Sequence, residues 1–309
     1  MKFWLGAAVV AAALVATAAF VNYEYFFFAG YTVLMFVVLA TAWNILGGYA
    51  GYVNFGTPAF FGLGVYSAAV LYKATAAPLA VQIALAAVMA GLLGFGAGLL
   101  TLRLRGIFFA IATIALTVIM QTVFINWRYA GGATGLQLLR PAPIAPFESY
   151  IKMLFLVMAI VAIGSVAIAR YIERSWVGRG LRAIRDSEEA AEASGVPTLK
   201  LKLVACTISG ALMGAAGAPM PMYLSYIEPA STFSLNYAVG ALASPMIGGT
   251  AHWLGPVIGA VLLSSLQQIV TVTVSNEMNV LLVGALLVVF IVAAPEGILG
   301  LVRRILPRR

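Results

Sequence analysis

The chain has 309 residues, of which 63% are hydrophobic and only 9% are charged. A soluble globular domain carries about 25% charged residues, so this composition excludes a soluble enzyme, whose surface needs far more polar side chains. The single cysteine, Cys206, and the single histidine, His252, exclude an intrachain disulfide and a zinc site built on Cys and His. We expect no metal site, an inert packing role for Cys206 and an interfacial position for His252.

Ten apolar segments are candidate transmembrane helices, because about 20 apolar residues cross a bilayer and these runs lack the alternation of barrel strands. They are residues 3–21, 25–46, 58–72, 78–102, 107–125, 150–169, 203–223, 237–249, 255–273 and 280–294. Segments 58–72 and 237–249 are short, which predicts broken or re-entrant helices. Segment 3–21 is either a retained helix or a cleaved signal peptide ending near Ala16-Thr17-Ala18. The sequence therefore predicts an all-α polytopic membrane protein with about ten transmembrane helices.

The distribution of the net charge of +8 indicates orientation in a membrane. Basic residues concentrate in residues 170–202, in the tail after residue 302, at Lys2 and in the turn with Arg103 and Arg105. Ten crossings put all four on one side, which predicts that both termini are cytoplasmic. The opposite side receives Glu24, Glu228, Glu277 and residues 126–149, which carry Arg128 and Arg140. Nucleic-acid binding is not expected.

Chemistry on the chain itself is not indicated. The sequence contains no Gly-Lys pair, so it lacks an ATP-binding P-loop. None of the ten predicted spans contains Asp or Glu, which argues against a proton relay, whereas a sodium site at a broken helix would escape this test.

Two glycine-rich interruptions, at residues 44–58 and 248–256, fall in the two halves of the chain. Such paired breaks point to a transport pathway, and the alternative is that they are turns and close helix contacts. Thr113, Thr117 and Gln121 lie at i, i+4 and i+8 and share one helix face. The candidate pathway residues are Asn44, Gly47, Gly51, Asn54, Thr113, Thr117 and Gln121.

Residues 170–202 form a long hydrophilic segment with a short helix signal. Asp186 as N-cap and Glu189 three residues later predict a capping box, with a helix over residues 187–193. Gly195 suits the C′ position and Pro197 stops continuation. The alanines Ala190, Ala191 and Ala193 predict a smooth face. The helix is too short to be stable alone, and it is either a connector or a plug for a partner's groove.

Glu189-Ala190-Ala191, three residues and then Gly195 resemble the E-A-A-x-x-x-G loop of ABC importer permeases. The wider chain resembles the branched-chain amino acid permease family, and its LivM-type member more than its LivH-type partner. This similarity is carried by residues 47–51, 60–66, 103–113, 131–136, 180–186 and 248–260. Residues 52–57 differ from the polar sequence that follows these glycines in the family.

The resemblance implies an ABC importer permease fold, with residues 1–309 as one transmembrane permease domain and 170–202 as its cytoplasmic coupling loop. The residues implied in coupling are Arg182, Arg185, Asp186, Glu188, Glu189, Ala190, Ala191 and Gly195. The implied partners are two ATP-binding subunits that hold ATP and Mg, a second permease (a heterodimer in preference to a homodimer) and an extracytoplasmic substrate-binding protein. No cofactor is expected on this chain.

The implied location is the inner membrane of a prokaryote. Branched-chain amino acids are the expected substrates, with urea, short amides and aromatic acids left open. The alternative functions are an ion-coupled secondary transporter and a non-transporting membrane scaffold.

Overall fold

The computed structural model describes residues 2–21, 23–140, 149–273, 276–293 and 297–305, and these residues are helical along most of their length. The helices are α1 Lys2–Phe20, α2 Glu24–Ala50, α3 Thr57–Thr75, α4 Leu79–Thr101, α5 Ile107–Asn126, α6 Tyr150–Arg174, α7 Trp176–Asp186, α8 Glu188–Ala193, α9 Thr198–Gly217, α10 Met220–Leu224, α11 Pro229–Thr232, α12 Asn236–Gly248, α13 Leu254–Thr273, α14 Asn276–Ala293 and α15 Gly297–Ile305. Two two-residue strands, β1 Leu136–Gln137 and β2 Tyr226–Ile227, pair antiparallel.

Within the described residues, seven helical stretches are long and apolar enough to cross a membrane: α1, α2, α4, α5, α6, α9 continued into α10, and α13. The other three predicted spans are also helical. The predicted break in 58–72 is wrong, because α3 is one helix of 19 residues. α14 has 18 residues around the shorter apolar run Leu281–Phe290. The all-α polytopic membrane fold is confirmed.

The prediction that segment 237–249 is short is confirmed, since α12 has 13 residues. At about 1.5 Å per residue it extends about 20 Å, less than the hydrocarbon core of about 30 Å. Its first turn lies beside the middle of α2, where the Tyr237 ring is 6.3 Å from the Phe36 ring. Toward the end of the bundle that holds β1 and β2, Phe233 stacks on Tyr66 and Phe124. These rings fill the layer that α12 does not reach.

The bundle has two distinct ends. We call the end that holds α7 and α8 the inner end and the end that holds β1 and β2 the outer end. At the inner end the Phe3 ring lies 5.2 Å from the Trp253 ring. At the outer end the Ser149 hydroxyl donates to Glu24 at 3.0 Å, and Lys73 donates to the Tyr129 carbonyl at 2.9 Å. Residues 141–148 of the predicted outer loop and 306–309 of the basic tail lie outside the described residues.

Close contacts at small residues join α4 to α9. A β-carbon added at Gly94 would lie 2.8 Å from the Cys206 carbonyl oxygen, and one added at Gly210 would lie 2.8 Å from that of Ala90. The two backbones approach so closely that no side chain fits between them. Cys206 itself is buried, as expected of a packing residue. Helix packing thus explains these glycines, whereas an added β-carbon at Gly96 meets nothing within 4 Å.

Candidate functional site

Helix α7 is the first element of the site at the inner end, and the sequence analysis did not predict this helix. Ser175 caps its start by accepting a hydrogen bond from the Gly178 amide at 3.4 Å. The helix buries Gly178, Leu181 and Ile184, one residue per turn, while Arg182 on its other face is exposed. Apolar or small residues at every third position after a capping serine are a sequence signal for a helix. The arginines between them made this segment resemble a basic loop.

Helix α8 follows at once, and its start differs from the predicted one. Asp186 is not the N-cap, because it ends α7; Ser187 takes that position and accepts from the Ala190 amide at 3.3 Å. The predicted capping box is therefore wrong. Glu189 instead forms an ion pair with Arg105 at 3.1 Å.

The end of α8 is as predicted. Gly195 has φ +82° and follows the last turn, and its amide donates to the Glu192 carbonyl at 2.9 Å. The Val196 amide donates to the Ala191 carbonyl at 3.0 Å. These two bonds form a Schellman motif, in which glycine is preferred because its left-handed backbone carries no side-chain strain.

The three alanines of α8 do not share one face, which corrects the predicted smooth surface. Ala191 is buried against the bundle, whereas Ala190 and Ala193 are exposed. Residues three apart on a helix are neighbours, so Ala190 and Ala193 form a small outward-facing patch.

A buried ionic cluster, which we call the latch, attaches α8 to the bundle. It consists of Glu188, Lys202 and Tyr52. The Lys202 side chain is 3% exposed. Its ammonium group donates to Glu188 Oε1 at 2.6 Å, to the Tyr52 hydroxyl at 2.9 Å and to the Leu102 carbonyl at 3.0 Å. The Tyr52 hydroxyl in turn donates to Glu188 Oε2 at 2.5 Å. All three ammonium hydrogens thus have an acceptor, as a buried lysine requires.

Glu188 of the latch is ionised at neutral pH. Burial by itself would raise the pKa of Glu188, but hydrogen bonds from Lys202 and Tyr52 and the positive charges of Lys202 and Arg105 outweigh it. The pKa of Glu188 is therefore lowered from its ordinary value. Glu188 stays an acceptor for both donors.

Arg185 of α7 forms a second attachment, to the two glycine-rich breaks. Arg185 Nη1 donates to the Gly48 carbonyl at 2.8 Å and to Thr250 Oγ1 at 3.5 Å. The Asn44 side-chain amide donates to the Thr250 carbonyl at 3.1 Å. Arg182 donates to the Glu173 carbonyl at 3.2 Å. Helix α7 therefore contacts both interruptions that the sequence singled out.

The break after α2 is an ordered turn. Gly51 ends the helix at φ +77°, a conformation that favours glycine. Asn54 Oδ1 accepts from the Gly56 amide at 2.7 Å, and the Asn54 carbonyl accepts from Trp43 Nε1 at 2.7 Å. The Phe55 amide donates to Thr113 Oγ1 at 3.0 Å.

The candidate pathway residues have unequal surroundings. Asn44, Asn54, Thr113 and Thr117 are 1–3% exposed. The first three bond to backbone groups of the two breaks, whereas Thr117 bonds to the Thr113 carbonyl of its own helix. Gln121, two turns beyond Thr113, is partly exposed. An added β-carbon at Gly47 would meet the Trp43 ring at 2.5 Å, and Gly51 lines a cavity of about 400 Å³ beside Glu188, Arg105 and Arg185.

Comparison with known proteins gives a consistent result. Residues 25–291 match the family model described as branched-chain amino acid transport system / permease component. The high-affinity branched-chain amino acid transport system permease protein LivM of Escherichia coli K12 is 25% identical over 295 residues, covering 87% of this chain and 69% of its own. The LivH permease of Salmonella typhimurium is 24% identical over 152 residues, covering 49% of each chain. The ribose import permease protein RbsC of Haemophilus influenzae is 30% identical over 109 residues, 33% of each chain. No solved structure matches.

Proposed function

Because this chain belongs to the permease-component family of branched-chain amino acid transport systems, we propose that it is the LivM-type membrane subunit of an ATP-driven importer. The family makes the chain a transport subunit and not an enzyme. Its broad similarity to LivM, against half-length similarity to LivH, supports the LivM-type assignment. Its substrates are branched-chain amino acids or related small molecules.

The segment of α7 and α8 is the coupling element. Its supporting observation is that α8 presents Ala190 and Ala193 outward while the latch holds its other side. The small patch admits close approach of a groove on an ATP-binding subunit. Movement of α8 would then pull Lys202 near the start of α9 and Tyr52 in the break after α2, because both are bonded to Glu188.

The transport cycle follows from these attachments. ATP and Mg bind to two partner subunits, whose closure moves the docked α8. The helices joined to α8 rock as rigid bodies between two arrangements, and the path changes the side to which it opens. Asn44, Gly47, Gly51, Asn54, Thr113, Thr117 and Gln121 act in this scheme as the hinge region and lining of the path.

The remaining assembly follows the family pattern. The chain lies in the inner membrane of a prokaryote with its inner end and both termini in the cytoplasm. A second permease subunit pairs with it, and an extracytoplasmic binding protein docks at the outer end. That end is ordered by the β1–β2 pairing and by Arg140, which donates to the Met222 and Tyr223 carbonyls.

The coupling role is tested by substituting the outward patch in the reconstituted importer. Ala190→Trp is expected to abolish ATP-driven uptake and to weaken co-purification of the ATP-binding subunits. Ala190→Ser, which keeps the residue small, is expected to preserve both. Wild-type uptake and co-purification by Ala190→Trp would refute docking at this patch.

The alternative functions give different results in the same liposomes. An ion-coupled secondary transporter would accumulate substrate from an ion gradient without ATP or partner subunits. A scaffold would show neither uptake nor substrate-dependent ATP hydrolysis in any assembly. A reporter fused after Arg309 that is active only outside the cell would contradict the proposed orientation.

A further inference from the structure

A long apolar groove runs between α1 and the faces of α2, α6 and α13, and its volume is about 1230 Å³. None of residues 3–20 of α1 is buried, so this helix stands loosely against the bundle. The family match begins only at residue 25, and α1 therefore lies outside it. One wall of the groove, α1, therefore precedes the matched permease region, whereas its other walls lie within that region.

The walls of the groove suit a flexible hydrocarbon chain. Gly6, Ala7 and Gly30 line it, and an added β-carbon at Gly6 meets nothing within 4 Å. Its lining on α1 runs from Phe3 to Leu14, which spans about 17 Å at about 1.5 Å per residue. One leaflet of a hydrocarbon core is about 15 Å thick.

The inner end of the groove carries a cation. The Arg170 guanidinium lies 4.0 Å from the Phe3 ring centroid and 5.6 Å from that of Trp253. Phe3, Trp253 and Arg170 all line the groove. Across the described ranges, no carboxylate or carbonyl accepts a hydrogen bond from Arg170, although Glu173 lies close enough to interact with its charge, so the guanidinium donors are open to a ligand at the groove mouth.

We propose that this groove binds an anionic phospholipid of the inner-end leaflet. The phosphate accepts hydrogen bonds from Arg170 between Phe3 and Trp253, and an acyl chain lies along α1 past Gly6. Basic pockets between transmembrane helices bind anionic lipid head groups in this manner. The cation at the mouth favours a lipid over an apolar helix of a second subunit, which would leave the guanidinium without an acceptor.

The test measures phosphatidylglycerol bound to the purified, delipidated full chain by native mass spectrometry. Phosphatidylcholine with the same acyl chains controls for the head group, and inorganic phosphate controls for the anion alone. Arg170→Gln is expected to lower phosphatidylglycerol affinity about fivefold, from the loss of one cation near the head group. Arg174→Gln removes an exposed arginine one turn away, outside the groove lining, and is expected to have little effect.

A second pair of variants tests the groove and leaves Arg170 in place. Gly6→Trp fills the open space and is expected to displace the lipid, whereas Ala12→Leu on the opposite side of α1 is expected to retain it. Equal binding of phosphatidylglycerol by Gly6→Trp and the parent chain would overturn the proposal. So would equal affinity for phosphatidylcholine, displacement by inorganic phosphate, or a crosslink from Gly6→Cys to another subunit in place of lipid.

Discussion

The latch gives the sharpest quantitative prediction, for the variant Lys202→Met. Methionine keeps the apolar stem of the lysine but leaves Glu188 without its closest cation. Removing one partner of a buried ion pair costs about 3–5 kcal/mol. The Glu188 side chain is 12% exposed and keeps Arg105 at 3.8 Å, so we expect the lower value, about 3 kcal/mol.

This cost should appear as local opening of α8. At 1.4 kcal/mol for each factor of ten, about 3 kcal/mol raises the opening equilibrium somewhat more than 100-fold. Hydrogen–deuterium exchange at the Glu188–Ala193 amides measures that equilibrium, and ATP-driven uptake should fall with it. Lys200→Met is the matched control, because it removes the same charge from an exposed position two residues away.

The double variant Lys202→Met with Glu188→Gln separates the lost bond from the stranded charge. Replacing both partners removes the unpaired carboxylate, so we expect part of the exchange protection to return. Unchanged protection and uptake in Lys202→Met alone, or equal losses in Lys200→Met, would refute the view that the latch holds α8.

Three further predictions concern the same chain. Acid should open α8 only below the ordinary glutamate pKa of about 4.3. The pKa of Glu188 is lowered in the folded state, so its stabilisation is complete above the ordinary pKa and is lost as the pH falls through the folded-state pKa. Hydrogen exchange of the α8 amides, corrected for intrinsic rates, should show this step, and Glu188→Gln should lack it. Gly195→Val should destabilise the end of α8 by about 1–2 kcal/mol and lower uptake, whereas Gly195→Asn should retain uptake. The reason is that the left-handed backbone, and not the space around Gly195, restricts which side chain is tolerated there. Equal uptake by both variants would contradict this reasoning. Gly64→Ala would place a β-carbon 2.2 Å from the Gly214 carbonyl oxygen and should lower the thermal stability of the purified chain, whereas Gly96→Ala should not; equal melting temperatures would argue against close packing there.

The helices were predictable because lipid as a solvent forces long apolar runs into helices with internally satisfied backbones. The same reasoning marked Gly195 as a helix stop, since few residues adopt a left-handed backbone without strain. It failed for Asp186 because two adjacent residues both suited a cap, and only the extent of α7 decided between them. Local pattern also placed Ala191 outward, although the bundle buries it.

The latch was not predictable from local pattern. Tyr52 and Lys202 are 150 positions apart in the chain. The local sequence places Tyr52 in a glycine-rich break and Lys202 in a hydrophilic segment, and neither pattern predicts a buried contact. Lys202 counted in the sequence only as one more positive charge for orientation. Its contact with Glu188 depends on how α9 packs against the break after α2, which periodicity does not specify.

The short length of α12 leaves the two ends of the bundle held by interactions of different kinds. Near the outer end, the stacked rings of Tyr66, Phe124 and Phe233 are stabilised largely by buried apolar area, which changes gradually as the rings slide. At the inner end, the bonds of Lys202 and Arg185 need defined angles and weaken steeply when these are lost. A rocking motion would therefore meet gradual resistance where the rings slide and a threshold where the bonds release.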